Sequence, residues 1–298
     1  MHIIDPHVHL LDLEVHRYPW MENSARNFLG DASAIKKSYL LPDLLADAGA
    51  DLHVEQIVHV EANHDPADPL AEARWIQSLA DAPPNRGLPQ AIVAGADLSQ
   101  ENAQQVLEAH LALRNLRGVR QILNVHPSPM YDFVGRHYMR EPLWRKNFGL
   151  LQRFGLGFEL QIYPAQMVEA AQLARAHPDT TLILNHAGMF CDRGSPAGWR
   201  LWRDGLRALA ACPNVSVKIS GLAMLDHHWT LESLRPYALE AIDAFGCERA
   251  MFASNFPVDK LFCSYRALWQ TYAQIVADCS ASERDALLRT NAQRIYRL

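Results

Sequence analysis

The sequence predicts a single-domain (β/α)8 TIM barrel over residues 1–298, and three observations point to it. Short apolar, β-branched runs recur eight times, helix-like amphipathic stretches separate many of them, and polar or titratable residues stand where the runs end. Near-continuous apolar runs suit strands buried on both faces, and their alternation with helices makes those strands parallel. A doubly wound sheet would carry a G-x-G-x-x-G turn after an early strand, and none is present. Neither a second domain nor a tandem repeat is visible.

In chain order the runs are HIID (2–5), QIVHVEA (56–62), AIVAGAD (91–97), LRGVRQIL (116–123), GFELQIY (157–163), TLILNHA (181–187), VSVKISGL (215–222) and AMFASN (250–255). Apolar residues at three- and four-residue spacing predict helices over 68–80, 100–114, 164–177, 198–212 and 230–245. Residues 11–42 and 124–147 are longer than a connection requires, as binding loops and lids often are. The first contains HRYPWMENSARNF and the second NVHPSPMYDFVGRHY, aromatic and histidine-rich mixtures suited to a pocket wall; His126 in the second is a candidate substrate contact.

Composition narrows the function. A net charge of -5 and the lack of a long Lys/Arg run argue against nucleic acid as a partner. No apolar stretch approaches the ~20 residues of a membrane span, and the opening MHIIDPHVHL is unlike a secretory leader. Five cysteines without a C-x-x-C pair suit reduced thiols, so a cytoplasmic setting is expected, with a small-molecule substrate and no membrane partner; the oligomeric state is left open. The 14 histidines are the compositional excess to follow.

In a parallel barrel the functional groups gather at the C-terminal strand ends. His7 and His9 are two apart, hence on one side of an extended chain, a spacing at which two imidazoles can hold one metal or one carbonyl oxygen. The second run ends His59, Glu61; the fourth brings Arg120 and the fifth Glu159 and Gln161. Arg120 suits a carboxylate or a developing oxyanion, or equally a buried ion pair with Glu61 or Glu159. His186 precedes a turn and could ligate a metal, act as general acid/base, or simply cap a loop. Lys218 shares a side with Ser220 and requires a partner if buried. The last run ends at Asn255, whose amide can orient a water or bind an oxygen but cannot take a proton; the next carboxylate is Asp259.

The stretches IIDPHVHL, GVRQIL, LILNHAG, NVSVKISGL, MFASNFPVD and NAQRIYRL resemble the amidohydrolase superfamily, specifically the amidohydrolase family 2 group of TIM-barrel hydrolases that includes sugar-acid lactonases and 2-pyrone-4,6-dicarboxylate lactonase. The resemblance spans nearly the whole chain. It implies that His7, His9 and His186 match family histidines and that Arg120 and Lys218 match groups holding the substrate. Metal-dependent members add a fifth-strand histidine, where this chain has Glu159 and Gln161. The family's eighth-strand aspartate is replaced by Asn255.

The leading expectation is therefore a lactonase opening a small polar or carboxylated lactone, with no required cofactor. His7, His9, His186, Asn255 and Asp259 would be catalytic, with His186 or Asp259 as proton acceptor. Arg120, Lys218, Glu159, Gln161 and His126 would bind substrate. A second expectation is one divalent metal, zinc or manganese, on His7, His9 and His186, with Glu159 as a further candidate ligand, supporting hydrolysis or decarboxylation. A third is a ligand-binding relative that has lost catalysis with its eighth-strand acid.

Overall fold

The computed structural model describes residues 1–22 and 28–298. Residues 23–27, part of the first aromatic stretch, lie outside that description. Eight strands, β1 (His2–Val8), β2 (His53–Val60), β3 (Ala91–Gly95), β4 (Leu116–Ile122), β5 (Gly157–Gln161), β6 (Leu182–Leu184), β7 (Val215–Ile219) and β8 (Ala250–Phe252), are joined in sequential order. Every neighbouring pair is parallel. Past β8 the chain closes on β1: His9 N donates to Phe256 O at 2.8 Å and Asn255 N to His7 O at 2.9 Å. The predicted (β/α)8 barrel is what forms.

The predicted helices appear as Ala71–Asp81, Ala103–His110, Met167–Ala176, Pro196–Ala210 and Leu231–Phe245. Their ends follow capping chemistry. Ser195 Oγ accepts from Gly198 N at 3.1 Å, with Pro196 following it, so that helix begins before residue 198. Thr230 and Ser233 cap each other at the start of Leu231–Phe245.

Inside the barrel, Ile4, Val58, Val60, Val93, Ile183 and Met251 form one apolar cluster, closed by Ala292 and Tyr296 of the C-terminal helix Asn291–Tyr296. Along each strand the members of this cluster precede the polar residues at the exit, so this apolar interior lies beneath them. β6 and β8 are only three residues each because the chain turns into loops where the runs had suggested longer strands. No disulfide is formed, and among the described residues no helix is long and apolar enough to cross a membrane.

Candidate active site

A cavity of about 720 Å³, its open mouth included, lies over the C-terminal strand ends. His9, Arg120, Gln161, His186 and Asn255 line it. The strand exits therefore bring five of the sequence-predicted residues to one wall.

His9 follows β1. Its Nδ1 is 2.8 Å from Val60 O, which can only accept, so Nδ1 carries the proton and Nε2 has a lone pair in the neutral ring. Burial first, and then the Arg120 charge, push His9 down to about 3, so the ring is neutral. The Asn255 amide faces Nε2 at 3.3 Å and donates to Asp259 Oδ1 at 2.8 Å. Burial pushes Asp259 up to about 8, so near neutrality it is mostly protonated. With His9 neutral and Asp259 protonated, the row is hydrogen-bonded throughout when the amide is turned to give Nε2 an N–H and take the carboxyl proton on its oxygen. Asn255 itself has φ 60°, a left-handed conformation that asparagine tolerates. Asp259 is fully buried behind Asn255 and reaches the cavity only through it.

His186 opens a run of left-handed residues, His186, Ala187, Gly188 and Met189, with φ of 54°, 47°, 77° and 48°. The turn is held by Trp202 Nε1 donating to Ala187 O at 2.7 Å. Backbone of this kind persists where surrounding packing over-determines it. His186 Nδ1 lies 2.9 Å from Ser220 Oγ. The next residue, Gly221, permits that approach: a Cβ there would stand 2.7 Å from the same nitrogen. Burial, reinforced by the positive charge of Arg120, holds His186 well below the usual histidine range, so it too is neutral.

His7 is one layer deeper, its ring 4.9 Å from that of His9 and 4.7 Å from that of His186. Its Nδ1 is 3.2 Å from Lys218 Nζ, which also donates to Glu159 Oε1 at 2.9 Å. Tyr296 and Asn185 donate to the same carboxylate. An ammonium can only donate, so His7 Nδ1 accepts and Nε2 bears the hydrogen; that Nε2 is buried without a partner among the described residues. Burial lowers Lys218 to about 8, and Glu159 opposes the shift. Lys218 and Glu159 are a buried ion pair below the cavity rather than walls of it.

Arg120 reaches the cavity, but it is also ion-paired: Nε donates to Glu61 Oε1 at 2.5 Å, Nη1 to Gln161 Oε1 at 2.8 Å, and Nη2 to Glu61 O. Of the two partners the sequence left open, Glu61 takes the bond although Glu159 is Arg120's register partner. Gly95, on β3 between them, pairs in register with Arg120 and stands beside the Glu61 side chain. His126 is off the polar floor, its ring against Tyr131 and Tyr163 at 5.1 and 5.5 Å and its Nδ1 accepting from Ser128 N at 3.0 Å.

Sequence reading passed over Asn63, Asn124 and Tyr163, which line the same cavity. Each is within a few residues of a strand end, a signal that position alone supplied. Tyr296, on the terminal helix, carried no signal toward Glu159.

Among the described residues, the one trio of metal-binding types whose donor atoms all lie within 4.8 Å is His2, His53 and Glu55, at the opposite, N-terminal ends of β1 and β2. His7, His9 and His186 do not form such a trio, and the Lys218 hydrogen bond puts a hydrogen on the His7 nitrogen that would have to ligate. As arranged, these three do not fit a metal centre.

The amidohydrolase family profile matches residues 4–298. The uncharacterised protein y4mH of Sinorhizobium fredii is 45% identical over 298 residues, covering 99% of this chain and 98% of that protein. An L-fucono-1,5-lactonase of Burkholderia multivorans is 30% identical, covering 99% of this chain and 96% of its own. A crystal structure of an amidohydrolase from Burkholderia multivorans with bound zinc superposes with a TM-score of 0.81 at 25% identity, covering 100% of both chains.

Proposed function

Since the chain belongs to the amidohydrolase family and is a hydrolase of it, we propose that it opens a lactone by attack of water on the ring carbonyl. The observation that carries this reading is the meeting of neutral His9, neutral His186 and the Arg120 guanidinium at one cavity wall. Likeness to a lactonase over nearly the full chain supports it.

The chemistry follows from the donors and acceptors. Three of Arg120's five N–H groups are engaged by Glu61 and Gln161, which leaves two for the carbonyl oxygen and the oxyanion that develops on it. Ser220 Oγ accepts from His186 Nδ1 in the tautomer that leaves Nε2 as a base. His186 takes a proton from water as the C–O bond to the carbonyl forms, then returns it to the ring oxygen as the ring C–O bond breaks. A hydroxy acid results, and its ionisation releases one proton to solvent. Asp259 is a poorer acceptor because Asn255 separates it from the cavity. Asn255 and Asp259 hold His9 in its tautomer; His7 links the upper histidines to the Lys218–Glu159 pair and acts as a positioning residue. No step requires a resident metal. A pH-indicator screen of neutral and carboxylated lactones tests the reading: acid release on at least one lactone supports it, and none on any refutes it.

A further inference from the structure

The cavity is divided by chemistry. Strand ends supply the polar wall, whereas the loops supply Trp20, Phe28, Phe133, Met189, Met224 and Val258. Of the described residues lining it, Arg120 is the one permanently charged side chain, and Glu61 neutralises it in a pair of which both members are buried. The other cation near the histidines, Lys218, is below the cavity and bound to Glu159. Among the described residues, no uncompensated cation lines the cavity to hold a substrate carboxylate. Asn63, Asn124 and Tyr163, just past their strand ends, extend the polar wall; hydroxyls on the side of a ring turned to the loops would face thioether, aromatic and aliphatic groups that return no hydrogen bond, and polar groups so buried are disfavoured.

We infer that the substrate is a neutral lactone whose ring bears an alkyl or aryl substituent, seated against the loop residues, in place of the hydroxyls of a sugar lactone or the carboxylates of a pyrone dicarboxylate. The inference rests on the lactonase reading for its reactive centre, but the division of the cavity stands apart from turnover. Hydrogen bonding is concentrated on the wall formed at and just past the strand ends. The apolar loops supply grip and shed water from the reacting bond.

Two measurements separate the inference from the reading beneath it. Hydrolysis is compared for δ-octalactone, γ-phenyl-γ-butyrolactone, D-glucono-1,5-lactone and 2-pyrone-4,6-dicarboxylate. Binding is compared by calorimetry for non-hydrolysable lactams, 6-propylpiperidin-2-one and 6-phenylpiperidin-2-one against D-gluconolactam. The alkyl or aryl lactams are expected to bind at least about tenfold tighter than the polyhydroxylated one, the scale on which apolar pockets discriminate. Phe133→Asn, at a half-exposed site on the cavity wall, should reduce that preference. Equal or tighter binding of gluconolactam overturns the inference, as does faster hydrolysis of the gluconolactone or the dicarboxylate, while either hydrolysis result leaves lactone opening intact. Tight binding of the apolar lactams with no lactone hydrolysed sustains the inference about the cavity and sinks the reaction assigned to it.

Discussion

Lys218 Nζ lies 3.2 Å from Nδ1 of His7, and this contact decides which nitrogen of the deepest histidine carries the hydrogen. An ammonium has no lone pair, so His7 accepts at Nδ1 and offers N–H at Nε2. The His7 ring in turn packs on both cavity histidines. The Lys218–Glu159 pair thereby fixes the tautomer of His7, as Val60 O fixes that of His9.

Lys218→Met should therefore be costly. It leaves the Glu159 carboxylate buried without its cation, and breaking such a pair typically loses about 3–5 kcal/mol. The double variant Lys218→Met/Glu159→Gln should recover part of that stability in thermal unfolding, yet remain slow, because His7 has lost the donor that fixes its tautomer. Full activity in the double variant would remove His7 positioning from the account.

Glu61→Gln removes the carboxylate 2.5 Å from Arg120 and exposes a net positive charge at the cavity wall. Binding of small carboxylates should strengthen by about tenfold, while neutral lactones gain nothing comparable. Inhibition by acetate and benzoate measures it; unchanged inhibition would mean that Glu61 does not neutralise the site.

Asp259 gives a pH signature. Its carboxyl keeps its proton to about 8 when folded, against an ordinary value of 3.8, because burial disfavours the charge. The folded state thus binds more protons between those values, so its stability falls as pH rises through that window and levels off above about 8. Asp259→Asn lacks this slope. Relative to wild type, its stability should rise by up to about 1.4 kcal/mol per pH unit between pH 5 and 8. Parallel unfolding curves over that range would show Asp259 ionised in the fold.

Metal should be dispensable. Gently purified protein is expected to hold zinc and manganese well below one equivalent, and to keep its lactone hydrolysis after dialysis against chelator. A stoichiometric ion whose removal abolishes activity would overturn the donor arrangement assigned to His7.

The barrel was legible because its strands are buried on both faces and read as apolar runs such as VSVKI and GFELQ, while helices such as Pro196–Ala210 show a three- and four-residue period. His9, His186 and Asn255 were legible because strand exits face the cavity. The partner of Arg120 was not: Glu61, just past β2, and Glu159, on β5, both stand near β4, and which of them meets the guanidinium depends on side-chain directions that spacing along the chain does not carry. Nor was the apolar loop wall, since Trp20 and Phe133 come from segments whose placement depends on distant contacts, such as Trp20 Nε1 donating to Ala62 O at 2.7 Å. A reading of exits alone favoured polar or carboxylated substrates for that reason.

The most direct test is steady-state hydrolysis of the preferred lactone by wild type and His186→Asn. If His186 is the base that moves the proton, kcat falls by about a hundredfold or more while KM changes little, within the range that general-base loss commonly produces. A His186→Asn enzyme with wild-type kcat would contradict the central claim.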